Sequence, residues 1–195
     1  MNKIISIINK LIYFFIGNTL GRLMFSNKYI RGKHYNKITS EGWKWLTRGV
    51  WYQKILGYNR YIKFPVSFQS VVSSNNIEFD PSDLNNFNHF GCYYQNFEGK
   101  IIIGKGTYIA PNVGIITQNH DVNNLDNHVK ARNVIIGKKC WIGMNSMILP
   151  GVRLGNNTIV GAGSVVTKSF EQGNCIIAGN PAKIIKNLEV KNDEN

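Results

Sequence analysis

Of the four histidines in this 195-residue chain, His120 has the setting best suited to chemistry. It sits in Asn119-His120-Asp121, inside a polar segment, 118–133, that also carries Asp126 and His128 and interrupts an otherwise regular repeat. Imidazole titrates near neutrality, so it can take a proton from a hydroxyl as a bond forms and return it to a leaving group. Asp121 or another acid is a candidate for holding the second ring nitrogen and fixing the tautomer. A lone loop histidine is commonly only solvated surface. The break in the repeat, where a rigid scaffold can present a functional loop, tips the reading toward catalysis. His128 is either pocket lining or solvated loop, and His89 carries a weaker signal.

The elements that must position His120 come from a period of six. Hexads begin at Ile103, Ile109, Ile136, Ile142, Ile148, Leu154 and Val160. Position one is always aliphatic, and position two is Gly or Ala in six of the seven. Position five is always small or β-branched: Thr107, Val113, Cys140, Ser146, Val152, Thr158 and Ser164. Six residues make one short strand and one corner. The aliphatic stacks inward on its counterparts in neighbouring coils, the small residue fits near a corner, and Gly or Asn in the turns tolerates an unusual φ. Three hexads close a coil of eighteen residues, and successive coils pair as parallel strands about 4.8 Å apart. A helix is excluded because no apolar stripe at 3.6 matches this period. A sandwich does not hold one residue class at every sixth position. Upstream, Ile77, Phe79, Leu84, Phe90 and Tyr94 are loosely spaced, and residues 66–102 read as one or two degenerate starting coils.

The segment 136–183, with Val160-Gly161-Ala162-Gly163-Ser164-Val165-Val166-Thr167-Lys168 and later Ala178-Gly179-Asn180-Pro181-Ala182-Lys183, resembles the hexapeptide-repeat acyltransferases. It looks like the branch that O-acetylates sugars, including galactoside, maltose, capsule and lipopolysaccharide acetyltransferases. The resemblance covers about 66–185. It implies an all-β fold, a left-handed parallel β-helix, and a homotrimer with an acetyl-CoA tunnel between neighbouring prisms. It also implies direct transfer of acetyl from acetyl-CoA to a carbohydrate hydroxyl with His120 as general base. Asn96, in Tyr94-Gln95-Asn96-Phe97, matches an active-site Asn of that branch, whose amide would bind the acceptor or the developing oxyanion. Trp141, Ala162, Thr167, Lys168, Pro181 and Lys183 match positions that contact the cofactor, with Lys168, Lys183 and Lys186 as cations for its phosphates. Ile184, Ile185 and Leu188, at helical spacing, suggest a short C-terminal capping helix. Acetylation of a small acceptor (a free sugar, an antibiotic or a sugar-nucleotide amine) and a catalytically silent binding or assembly prism are the alternatives.

Two other chemistries are disfavoured. The γ-class carbonic anhydrases share the prism and bind zinc through three histidines, but no histidine pair here has their spacing, so no metal is expected. A covalent sulfur route needs an activated thiolate beside a base. Cys140 falls at an inward repeat position, and Cys92 and Cys175 have no evident partner. Three scattered cysteines make neither a disulfide scaffold nor a CxxC site, which points to a reduced, cytoplasmic setting.

The net charge of +12 is unevenly placed. Residues 1–65 hold twelve Lys and Arg against one acid, Glu41, while 66–195 hold eleven against ten. The same first third carries thirteen of the chain's aromatic rings, among them Phe14, Trp43 and Trp51. Rings beside cations suit an anionic membrane surface, so peripheral contact with the inner face of the plasma membrane is one reading and a packed subdomain the other. Nucleic acid is not expected, since no binding motif is present. Residues 4–25 are apolar but interrupted by Asn9, Lys10, Asn18 and Arg22. The longest clean run, 11–17, is far short of the ~20 residues that cross a bilayer, and no cleavage site follows. The domain reading is a basic aromatic segment, 1–65, a β-helix domain, 66–188, and a polar tail, 189–195.

Overall fold

The structure, a computed structural model, describes residues 2–189. The tail from residue 190 onward lies outside the described residues. The chain divides into two compact units: residues 2–75 with Pro81–Cys92, and Asn76–Asp80 with residues 93–189. Of 66–102, expected as starting coils, 66–75 and 81–92 therefore group with the first unit. Phe90, expected inside, is exposed.

The first unit is helical, so the all-β expectation describes only the second. Helix α1 (Asn2–Ile16) continues through a π turn, Gly17–Gly21, into α2 (Arg22–Met24). Helix α3 (Glu41–Gly49) runs into a second π turn, Val50–Ile55. The cause is periodicity. Trp43, Leu46, Thr47 and Val50 fall on one helical stripe, and all are buried. Phe14 and Tyr35 each meet the Trp43 ring edge-on at 5.1 Å. Phe64 sits between Tyr29 and Phe87 at 5.0 and 4.9 Å. Inside this core the buried Gln53 donates through Nε2 to the Phe64 carbonyl, and its Oε1 accepts from the Val66 N–H. A two-residue strand, β1 (Val71–Val72), also belongs to this unit.

The second unit is the repeat. Its strands are β2 (Ile77–Glu78), β3 (Tyr93–Gln95), β4 (Ile101–Ile103), β5 (Tyr108–Ile109), β6 (Gly114–Ile116), β7 (His120–Asp121), β8 (Asn124–His128), β9 (Val134–Ile136), β10 (Trp141–Ile142), β11 (Met147–Ile148), β12 (Arg153–Leu154), β13 (Thr158–Val160), β14 (Val165–Val166), β15 (Cys175–Gly179) and β16 (Ala182–Asn187). They form three faces: β5-β10-β13-β15, β3-β6-β11-β14, and β2-β4-β9-β12. The pairing between these strands is parallel, and the chain visits the faces in that order, so it is a parallel β-helix. The register stacks Ile109, Ile142, Val160 and Ile177 in one column, Tyr94, Ile115, Ile148 and Val166 in a second, and Ile103, Ile136 and Leu154 in a third.

The hexad rules have separate physical causes. All seven position-one aliphatics and all seven position-five residues are at most 3% exposed. Burying each aliphatic contributes roughly 1.5–3 kcal/mol. Position-five hydroxyls answer corner carbonyls: Thr107 donates to Gly137 O at 2.8 Å, Thr158 to Gly155 O at 2.7 Å, and Ser164 to Gly161 O at 2.6 Å. The left-handed corner is position four throughout. Gly106, Asn112, Lys139, Asn145, Gly151, Asn157 and Gly163 have φ from +55° to +85°. Glycine at position two serves close approach instead: a Cβ on Gly137 would stand 2.6 Å from Asn156 N and 2.7 Å from Gly155 C in the next coil.

The expected C-terminal capping helix is not formed. Residues 182–187 are strand β16, antiparallel to β15, with a tight turn through Asn180-Pro181. The last coil leaves the backbone groups of β15 without a parallel successor, and folding the chain back satisfies them. Ile184 and Ile185 suit a strand as β-branched residues and remain exposed.

Candidate functional site

The break in the hexads is an insertion at one corner. Ile142 and Val160 pair eighteen residues apart, whereas Ile109 and Ile142 pair thirty-three apart, so one coil carries fifteen extra residues. These residues leave the prism after β6 and return at β9. They were expected to be a loop but form an antiparallel hairpin, β7 against β8. Its base is closed by Arg132 N–H to Thr117 O at 2.8 Å and Val129 N–H to Asn119 O at 3.0 Å. His120 then stands opposite His128 and Asp121 opposite Asn124, with a bulge between His120 and Asp121. Bulges re-aim a side chain, and this one sits at the predicted base.

The base of the hairpin is fastened by a residue that the sequence does not single out. Gln95, on β3, accepts through Oε1 from Thr117 N–H at 2.9 Å and Gln118 N–H at 3.1 Å. Thr117 Oγ1 donates to the Gln95 carbonyl at 2.9 Å. Gln118 Nε2 in turn donates to Glu98 Oε2 and to Val129 O, both at 3.0 Å. Gly99 fits beneath because a Cβ there would be 2.6 Å from Thr117 Cβ. The only signal for Gln95 is its place in Tyr94-Gln95-Asn96-Phe97, beside the more conspicuous Asn96.

His120 is exposed at the hairpin, and its Nδ1 lies 2.7 Å from the Leu125 carbonyl. A carbonyl only accepts, so in the neutral ring Nδ1 carries the proton and Nε2 holds the lone pair. This is the tautomer a general base needs, and a backbone carbonyl sets it rather than a carboxylate. Asp121 instead accepts through Oδ1 from Asn123 N–H at 2.9 Å and shapes the turn leading to Leu125. The His128 ring packs against His120 at a tilt of 36°, with centroids 4.3 Å apart. Asn96 is fully buried, so the structure does not bring its amide to the surface that carries His120.

The predicted cofactor residues fall at two corners. Thr167 and Lys168 follow β14 and lie at the hairpin's own corner, one coil beyond Leu149; Leu149 N–H donates to Val166 O at 3.0 Å. Lys168 is exposed, its Nζ over the Phe170 ring. Ala162 follows β13 and Pro181 follows β15 at the corner between the β10 and β11 faces, and Trp141 lies on β10 just before it. Gly143 there packs on Ala162, a Cβ on Gly143 meeting Ala162 N at 2.6 Å. Gly179 N–H, beside Asn180-Pro181, donates to Ser164 Oγ at 3.2 Å. Trp141 is 55% exposed and pairs in register with Tyr108, also exposed, so an aromatic stripe faces outward. Lys183 projects from β16, opposite Ala178. The face carrying β6, β11 and β14 separates the two corners within one chain.

The thiols are poorly placed for covalent chemistry. Burial pushes the Cys140 and Cys175 thiols up and keeps them protonated. Cys140 Sγ donates to Gly155 O at 3.3 Å, inside the prism. Cys92, also buried, lies in the first unit with Sγ 3.6 Å from His89 Nδ1. Among the described residues no group of three or more His, Cys, Asp or Glu could hold a metal ion.

Residues 133–168 match the bacterial transferase hexapeptide family (six repeats), whose fold is the left-handed parallel β-helix. A candidate acetyltransferase of Saccharomyces cerevisiae is 41% identical over 63 residues, 31% of this chain and 32% of that protein. A candidate colanic acid biosynthesis acetyltransferase of Escherichia coli is 36% identical over 61 residues, 31% of this chain and 34% of that protein. The crystal structure of a maltose O-acetyltransferase from Clostridium difficile is 24% identical with a TM-score of 0.49, covering 93% of this chain and 88% of that one. The chain spans about a third of the length of the curated relatives it matches.

Proposed function

We propose, from the match of residues 133–168 to the bacterial transferase hexapeptide family, that the chain is an acetyl-CoA-dependent O-acetyltransferase acting on a sugar hydroxyl of a surface polysaccharide. The observation that carries the reading is the tautomer of His120: Nδ1–H is committed to Leu125 O, and Nε2 is left as the proton acceptor. The acceptor class follows the E. coli relative, whose name places it in colanic acid biosynthesis.

The reaction uses few groups. An acceptor hydroxyl donates its proton to His120 Nε2 while its oxygen bonds to the thioester carbonyl carbon. The tetrahedral intermediate collapses, the carbon–sulfur bond breaks, and His120 returns the proton to the departing thiolate. The positive charge on the ring in between is stabilised by the Leu125 carbonyl. Asn96 and Asp121 take positioning roles in this reading, Asn96 from within the coil beside Gln95 and Asp121 through its turn. Trp141, Ala162 and Pro181 receive the pantetheine and nucleotide, with Lys168 and Lys183 on the phosphates.

Because the hairpin and the Trp141 corner are separated on one chain, the site is completed by a neighbouring copy, and a closed homotrimer satisfies every such corner at once. The reaction belongs in the cytoplasm, where buried thiols such as Cys140 stay reduced.

The test is transfer of radiolabelled acetyl from acetyl-CoA to carbohydrate acceptors, with sedimentation run alongside. Label in the sugar and a trimer are the expected results. Binding of CoA without transfer to any hydroxyl would instead make the prism a silent module.

A further inference from the structure

Helix α1 is turned the wrong way round for a helix on a water-soluble surface. Ile4, Ile7, Ile8, Leu11, Ile12 and Phe15 follow at i, i+3, i+4, i+7, i+8 and i+11, one continuous stripe. In a soluble protein that stripe faces the core. Here each of the six is between 42 and 65% exposed. The polar residues Ser6, Asn9, Lys10 and Tyr13 take the opposite side and line a groove of about 490 Å³ whose other wall includes Glu41, Lys44 and Arg48. The helix therefore keeps its polar residues along this open groove and leaves a contiguous apolar band on its other side, the pattern of a surface made for another apolar phase.

We infer that α1 lies in the plane of an anionic membrane, with the Ile4–Phe15 stripe among the acyl chains and nearby cations on the headgroup phosphates. Charge complementarity selects this occupant. Residues 1–40 contain seven Lys and Arg and no acid, and the groove mouth adds Lys44 and Arg48 against Glu41, which pairs with Lys44 at 3.7 Å. A helix with a strongly apolar face beside a cationic border is the interfacial type. Crossing the bilayer is the rival geometry, because Ile4–Met24 is 21 residues long and apolar enough to do so by length and composition, despite its polar interruptions. Packing opposes that. Gly17 sits against Trp43, where a Cβ would be 3.1 Å from the Trp43 carbonyl and 3.2 Å from its ring. Gly21 fits against Leu46, where a Cβ would be 2.5 Å from Leu46 Cγ. Thr47 Oγ1 donates to Tyr13 O at 2.9 Å. Threading the helix through a bilayer would strip Leu46 and Trp43, both buried, of these neighbours.

Membrane docking of α1 stands apart from the catalytic reading. Its test is flotation of the full chain with phosphatidylcholine vesicles, with and without phosphatidylglycerol, for the wild type and an Ile8→Asp/Leu11→Asp variant. Both side chains are solvent-facing, so circular dichroism and thermal midpoint should match the wild type. The wild type should float with the anionic vesicles, less so at high salt, and the variant's partitioning should fall at least ~10-fold. A Lys10→Gln/Lys44→Gln variant, which leaves the stripe whole, should lose binding chiefly at low salt. Three results would overturn the inference: a wild type that stays in solution, a variant that floats equally well, or a wild type that resists alkaline carbonate extraction as a spanning helix does. A stripe covered by a second copy would show as self-association without vesicles that the Ile8→Asp/Leu11→Asp change abolishes, and that too would overturn it.

Discussion

Replacing Gln95 with alanine should loosen the hairpin without unfolding the prism. The amide oxygen of Gln95 accepts from two backbone donors, Thr117 N–H and Gln118 N–H, at the point where the insertion leaves the repeat. Thr117 N–H also reaches the Gln95 carbonyl at 3.1 Å and keeps that acceptor in the variant, so the loss is chiefly the Gln118 bond, worth about 0.5–1.5 kcal/mol net. At about 1.4 kcal/mol per factor of ten, amide protection at Gln118, Val129 and Arg132 should fall by roughly 2- to 12-fold. The columns of Ile142, Ile148 and Leu154 carry the global stability and do not involve Gln95, so their amides should keep their protection. Hydrogen exchange read by mass spectrometry or NMR makes the comparison. Acetyl transfer should drop with the loosened amides, because the Leu125 carbonyl that orients His120 rides on the same hairpin. A Gln95→Glu variant retains an oxygen acceptor for both N–H groups and should restore much of the protection. Unchanged exchange at Gln118 in the alanine variant, or equal losses at Gln118 and Ile148, would refute the reasoning.

Other outcomes follow from the same geometry. Lys139 is the one corner residue at position four that is neither Gly nor Asn, at φ +55°, so Lys139→Asn should raise the thermal midpoint by relieving up to about 1 kcal/mol, and a lowered midpoint would count against the corner assignment. Gly137→Ala forces a Cβ onto the backbone of Asn156 and should destabilise by about 1–3 kcal/mol in denaturant titration, whereas the same change at Gly163, with open space around it, is opposed only by its φ of +69°. Burial holds the His34 imidazole below its ordinary range, so the folded state binds fewer protons than the unfolded chain, and stability present at neutral pH should be lost as pH falls below about 6.5 through the folded value. A His34→Gln variant should show a flatter midpoint between pH 7 and 5, and an identical slope would exclude His34 as a cause.

How much a sequence discloses depends on how many constraints each residue obeys. Position-one aliphatics and position-five small residues are legible because every coil imposes the same demand in the same column. The hairpin is legible only as an interruption: residues 118–132 are mostly polar, and their few larger apolar residues, Val122, Leu125 and Val129, do not alternate, so no pattern announces β7 and β8. Gln95 carries no local signal because its bonds go to a segment more than twenty residues away. A capping helix is suggested by Ile184, Ile185 and Leu188, whose spacing fits one, but the unpaired backbone of β15 decides for a strand, and no local pattern reports that demand. Helix α3 is masked because Trp43 and Trp45 stand out first as rings beside cations, although Trp43, Leu46, Thr47 and Val50 mark a stripe that the fold buries.

The most direct test of the account is the single-turnover rate of acetyl transfer by a His120→Ala variant beside its CoA affinity. Loss of the base should slow transfer by roughly 10²–10⁴-fold while CoA binds as before. Transfer at the wild-type rate from the alanine variant would contradict it.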